Sequence, residues 1–283
     1  MGLLGIKEFI MPLIGGTSWT AFSADVLNYP YLDAAKAQGG IGGFMHPYSR
    51  PVEKPEDGAY SEIPLDVALG KGDFYDVLCI WYDELANAQM YYRLLNAGFR
   101  IAATAGSDPF PDVWRDPPPG TTRTYARIDG PLSVPNWLDT VENAATFGTS
   151  GPLLFATVDG RIPGEEIQVE ADGPTSFKVE IEIASIVPVD KVEVVVNGEV
   201  AKTFDVPQKE HRFQFSDTVE LQSSGWIAFR AIGPSHRYVS DSYAFAHTTP
   251  VYIVRDGRRF TSAEDARFLA DVVQAMWRRV EER

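Results

Sequence analysis

The sequence predicts an α/β unit with a mostly parallel sheet or barrel, then an immunoglobulin-like β-sandwich and a C-terminal helix. Three observations predict it. Residues 28 to about 160 alternate helix-like and strand-like segments, as parallel sheets do. Residues 165 to 255 read as short strands separated by turn signals. The last twenty residues carry apolar positions at helical spacing. The expected division is 1–160, 161–258 and 259–283.

Tyr31 to Gln38 is an Ala-rich helix, with Asn28 near its start and Gly39 and Gly40 after it. Residues 41 to 45 (IGGFM) read as a buried strand that runs into His46 and Pro47. Asp76 to Trp81 (DVLCIW) repeats the plan as a strand, followed by a helix from Asp83 to Asn96. Arg100 to Ala105 is a third strand and leads into Gly106, Ser107 and Asp108. A further helix spans Val134 to Phe147, with Ser133 as its cap.

In the second half, residues 176 to 184 (SFKVEIEIA) alternate in polarity, the pattern of a half-buried strand. Val192 to Val196 leads into Asn197 and Gly198, a hairpin signal. More strands are expected near 211–221, 225–232, 237–246 and 250–255. The closing helix opens on Ser262 to Asp265, a variant capping box. Its stripe of Leu269, Val272, Val273, Met276, Trp277 and Val280 is expected to pack on the body of the protein.

The charge balance is 25 Lys plus Arg against 39 Asp plus Glu, a formal −14. That balance repels phosphates and argues against nucleic acid as a partner. No apolar run reaches the ~20 residues that span a bilayer, so no membrane partner is expected. A single cysteine, Cys79, excludes an internal disulfide and a Cys-rich zinc site. The first residues lack the basic start and small-residue cleavage site of a signal peptide. Where the protein acts is left open.

His46 and Asp108 both stand just after expected strand ends, where α/β folds place their chemistry. Imidazole and carboxylate are the donors a hydrolytic divalent-metal centre uses. Against this stand a core histidine and a loop-capping aspartate. Glu84 reads as a third ligand, a base, or a first-turn acid that suits a helix dipole. Arg115 and Arg123 read as anion binders or as partners of nearby acids. His247 reads as a site residue or as a buried structural hydrogen bond between the two halves. Exposed aromatics such as Trp226 or Tyr238 would be needed for a carbohydrate site.

Several segments carry a family resemblance. They are residues 4–9 (LGIKEF), Gln38 to Pro47 (QGGIGGFMHP) and Leu95 to Arg100 with Ala105 to Asp108 (LNAGFR and AGSD). Asn143 to Leu154 and Ala246 to Tyr252 (AHTTPVY) complete the set. In order and spacing they resemble the CehA/McbA-type metallohydrolases of the polymerase-and-histidinol-phosphatase (PHP) superfamily. The resemblance implies the C-terminal part of a distorted (β/α)7 barrel, before the sandwich and helix. It also implies a centre of zinc, manganese or iron. The expected chemistry is metal-hydroxide hydrolysis of esters, phosphoesters, carbamates or amides in a small-molecule substrate. His46 and Asp108 match family ligands. The family's H-x-H, Asp-His and following glutamate motifs are not found, and no two of the four histidines stand two residues apart. The chain is therefore expected to be a truncated portion, incomplete or inactive alone. An oligomer or a second chain with the N-terminal half would be its partner. The alternative is a non-catalytic binding or interaction protein built on the sandwich.

Overall fold

A computed structural model describes residues 1–11, 27–79, 83–109, 118–170, 173–207 and 211–281. The first layer comprises β1 (Gly2–Leu4), α1 (Tyr29–Ala37), β2 (Ile41–Phe44), α2 (Pro55–Gly58), α3 (Ile63–Ala68), β3 (Phe74–Cys79), α4 (Glu84–Asn96) and β4 (Ala102–Gly106). The sheet order is β1-β2-β3-β4. Strands β2, β3 and β4 are parallel, and β1 pairs antiparallel with β2. β3 is buried along its whole length, as a strand covered on both faces must be, and Cys79 lies inside it. Asn87 ties α4 to this strand: its amide donates to the Asp76 carbonyl at 2.6 Å and its Oδ1 accepts from Tyr75 Oη at 2.8 Å.

The second layer comprises β5 (Arg123–Ala126), α5 (Val134–Glu142), β6 (Thr146–Thr149), β7 (Leu153–Val158), β8 (Glu166–Val169), β9 (Thr175–Ala184), β10 (Lys191–Val196), β11 (Glu199–Asp205), β12 (Arg212–Leu221), β13 (Gly225–Ile232), β14 (Phe245–Thr248) and β15 (Val251–Arg255), and α6 (Ala263–Glu281) closes the chain. One sheet runs β11-β10-β13-β14-β6-β5, with β15 joining β13 and β8 joining β15. A three-stranded sheet, β12-β9-β7, packs against it. Phe177, Val179, Ile181 and Ile183 of β9 meet Val192, Val194, Ile227 and Phe229 in one apolar core. The sandwich expectation holds. The β10–β11 hairpin turns at Asn197 (φ 50°) and Gly198 (φ 94°), the two left-handed positions its tight turn requires.

The barrel expectation is corrected: the first sheet is open. Among the described residues, its β4 edge is capped by side chains of the second layer and carries no further strand. Ala103 N–H donates to Thr249 Oγ1 (2.8 Å), Thr249 and Thr146 share a hydroxyl contact (3.0 Å), and Thr146 Oγ1 donates to the Ala103 carbonyl (2.8 Å). Two positions on, Thr124 Oγ1 accepts from Ala105 N–H at 2.9 Å and donates to the Ala105 carbonyl at 3.0 Å. Four edge groups that a fifth barrel strand would have paired are thus satisfied by three threonines. A β-carbon on Gly148 would stand 2.8 Å from the Thr104 carbonyl, so only glycine admits this approach.

Other differences are local. The helix expected to reach Phe147 ends at Glu142, because Ala144 turns left-handed (φ 62°) and β6 pairs with β5 and β14. The strand expected over 237–246 is confined to Phe245–Thr248, after a turn in which Val239 N–H donates to the His236 carbonyl. α6 buries Leu269, Val272, Ala275 and Met276 against α2, α3 and α4, while Trp277 and Val280 stay exposed. Among the described residues, no helix is long and apolar enough to cross a membrane.

Thr249 is fully buried, so Thr249→Val keeps its shape and strands the Ala103 N–H. It should cost about 1–3 kcal/mol in urea denaturation, the price of one unsatisfied buried donor. Thr249→Ser should retain most of that stability. A Thr249→Val variant as stable as wild type would show that the threonine seam does not hold the layers together.

Candidate functional site

His46 follows β2 and Asp108 follows β4, so the two flank the end of β3 in the sheet. Adjacent strands stand about 4.8 Å apart, which puts two alternate strands roughly 10 Å apart. The side chains nevertheless converge: His46 Nε2 lies 4.0 Å from Asp108 Oδ2. Both residues adopt left-handed backbone conformations, φ 39° and 44°. Such conformations cost about 1–3 kcal/mol each for a non-glycine residue and collect at functional sites. Both side chains are open to solvent, at 42% and 44% exposure. Ser107 ties the end of β4 to residues 120–122: its Oγ donates to the Thr122 carbonyl at 2.8 Å and accepts from Gly120 N–H at 2.9 Å.

Asp76, on the middle strand β3, adds a buried carboxylate beside this pair. Thr104 Oγ1 donates to Asp76 Oδ1 at 2.6 Å. Burial pushes its carboxyl up to about 7; the Thr104 bond opposes that shift and the charge of Asp108 adds to it. A β-carbon on Gly106 would stand 2.9 Å from Asp76 Oδ2, so the glycine before Ser107 makes room for this group. The sequence signal was available: Asp76 is a lone acid in an apolar strand, and it reads there only as a strand residue.

The donor chemistry at His46 and Asp108 suits a divalent metal. Donors about 2.0–2.2 Å from one zinc ion stand roughly 3–4 Å apart, and the observed separation falls at the upper end of that range. The donor number does not suffice. Among the described residues, no group of three or more His, Cys, Asp or Glu side chains is placed to hold an ion. A tightly held zinc takes three or four protein ligands.

The other expected residues are dispersed. Glu84 is the first residue of α4, with Asp241 and Tyr243 as its neighbours. Arg123 donates to the Gly120 carbonyl at 2.6 Å, a local contact at the start of β5. Arg115 lies outside the described residues. Trp226 is buried at 1% exposure and donates through Nε1 to Asn96, which removes it from any carbohydrate surface; Tyr238 is exposed.

His247 is fully buried on β14. Its Nδ1 lies 2.8 Å from the Thr248 carbonyl and its Nε2 lies 2.7 Å from Tyr92 Oη. A carbonyl only accepts, so Nδ1 carries the proton and Nε2 accepts from the tyrosine. Burial, helped by the charge of Arg230, drives its pKa down to about 3. The ring is a neutral structural link between α4 and the sandwich.

No protein-family model and no curated protein matches the chain. Among solved structures, the CARDB domain of PF1109 from Pyrococcus furiosus is similar to part of it. Identity is 22%, over 36% of this chain and 95% of that one, with a TM-score of 0.21.

The depressed His247 pKa fixes a sign. Between about 3 and the ordinary 6.5, the unfolded chain binds a proton that the folded chain refuses. The contribution of the neutral ring is complete above that window and is lost as pH falls through it, by at most about 1.4 kcal/mol per pH unit. In urea melts between pH 4 and 7, His247→Gln should lose less stability on acidification than wild type. Equal slopes in the two proteins would refute the assignment.

Proposed function

We propose that this chain supplies a histidine–carboxylate pair, His46 and Asp108, to a divalent-metal centre in a hydrolytic enzyme. The centre would use zinc, manganese or iron, and the substrate would be a small-molecule ester, phosphoester, carbamate or amide. The convergence of the two side chains to 4.0 Å carries the reading. Strained backbone at both positions and solvent access to both donors support it. A metal at such a site would supply an activated water. The role of this chain's residues stops at holding one side of the ion, since its described donors number two.

A cavity of about 610 Å³ favours a second reading, a non-catalytic binding protein. It lies where β5 and β6 meet β7, β9 and β12, the three strands of the smaller sheet, and Tyr125, Phe147, Phe155 and Phe215 form part of its lining. Tyr125 stacks on Phe147 with centroids 5.1 Å apart, and Phe155 meets Phe147 edge-on. Its size falls within the roughly 300–1,000 Å³ of small-molecule sites.

Calorimetric titration with Zn2+ and Mn2+ separates the two readings. The metal reading expects one weak site, weakened by about tenfold or more in His46→Ala and in Asp108→Ala. Any turnover of aryl esters or carbamates should require added metal and vanish in both variants. Metal binding that is absent, or unchanged in both variants, would remove the first reading and leave the cavity.

A further inference from the structure

A small-molecule cavity takes its shape from apolar walls and its selectivity from a few polar groups. In the cavity of about 610 Å³ beside β5 and β6, the charged side chains among the described residues are Arg127, Glu180 and Glu182. Both carboxylates are already matched. Lys178 Nζ lies 2.7 Å from Glu180 Oε1. Arg212 Nε lies 3.5 Å from Glu182 Oε1, and the Gln214 amide donates to Glu182 Oε2 at 3.4 Å. Arg127 differs. Its backbone N–H donates to the Ala145 carbonyl at 3.0 Å, which seats it just past the end of β5. Among the described residues, no hydrogen bond or ion pair engages its guanidinium.

The apolar wall is aromatic. Tyr125 and Phe147 stack with their planes 8° apart, and Phe155 meets Phe147 at 78°. Tyr125 and Phe155 are 39% and 48% exposed, which leaves ring surface for an occupant to cover. A cationic occupant would have to displace Lys178 or Arg212 from its acid, and it would meet the charge of Arg127. A neutral occupant would leave that guanidinium unused. A carboxylate matches it, because the planar fork of N–H donors accepts two carboxylate oxygens side by side. The formal charge of −14 repels anions at long range, so anion binding here would be a property of the site and not of the surface at large.

We propose that this cavity binds a small aromatic carboxylate, with its ring against Tyr125, Phe147 and Phe155 and its carboxylate on Arg127. The proposal rests on the second reading above, that the cavity is a binding site, and supplies the class of its ligand.

Cinnamate, cinnamamide and cinnamylammonium share one shape and differ in charge. Calorimetric titration of the full chain with each, in EDTA so that no metal-bound carboxylate contributes, tests the assignment. Cinnamate should bind one to one, about tenfold tighter than the amide, with the ammonium weakest. Arg127→Gln should weaken cinnamate by about tenfold and leave the amide unchanged. Arg127→Lys should keep part of the binding, since lysine supplies the charge without the fork. Phe155→Ala, at an exposed ring, should weaken cinnamate and the amide alike. Amide or ammonium binding as tight as that of cinnamate would overturn the ligand class and keep the cavity as a binding site. Cinnamate binding unchanged in Arg127→Gln would do the same. Binding of none of the three would overturn the proposal together with the second reading. A wild-type dimer in sedimentation velocity that Phe155→Arg turns into a monomer would overturn the proposal in favour of a second copy of the chain on this face.

Discussion

The structure depends on how one strand edge is finished. A parallel sheet edge presents a row of unpaired N–H and C=O groups, and each buried one must be satisfied. On β4 this is done by hydroxyls. The Ala103 N–H, Thr249, Thr146 and the Ala103 carbonyl form a closed ring of hydrogen bonds, and Thr124 serves both backbone groups of Ala105. Each threonine also belongs to the second layer or its links, so satisfying the edge docks the sandwich. Gly148 is the steric counterpart, since any side chain there would hold the sheets apart. A barrel would require β4 to receive another strand, and the seam occupies that position.

The seam also shapes the end of the sheet where the candidate ligands stand. Thr122 Oγ1 donates to the Gly106 carbonyl at 2.7 Å, and Ser107 Oγ donates to the Thr122 carbonyl. Asp108 therefore leaves β4 from a fixed platform. Its left-handed turn, mirrored by that of His46, directs two side chains from alternate strands towards the middle strand. Asp76 lies on that strand, held by Thr104 of β4. The strain at the two turns has to be outweighed by packing elsewhere. The buried aromatic contacts of Tyr92 with Trp226 and His247, at 5.3 and 5.5 Å, are part of that reserve.

What the sequence made legible follows from periodicity. Apolar runs located β2, β3 and β4, and their ends located His46 and Asp108. Asn197 and Gly198 located a hairpin because only left-handed positions close it. The open sheet was not legible, since helix–strand alternation is shared by open sheets and barrels, and a threonine that caps a strand edge looks like any threonine. Glu84 was legible only as a first-turn acid. Its burial depends on Asp241 and Tyr243, more than 150 positions away, and no local pattern carries that information. Trp226 illustrates the same limit: alternation places it on a strand, but only tertiary packing decides that its indole donates to Asn96 rather than facing solvent.

His46 and Asp108 are open to water and come from loop turns at the end of a sheet, so an ion between them would keep free coordination positions. The net charge of −14 raises the local concentration of cations. It therefore favours occupancy without deciding role, and the exposure of the two donors decides role: a site open on one side suits exchange with substrate or water.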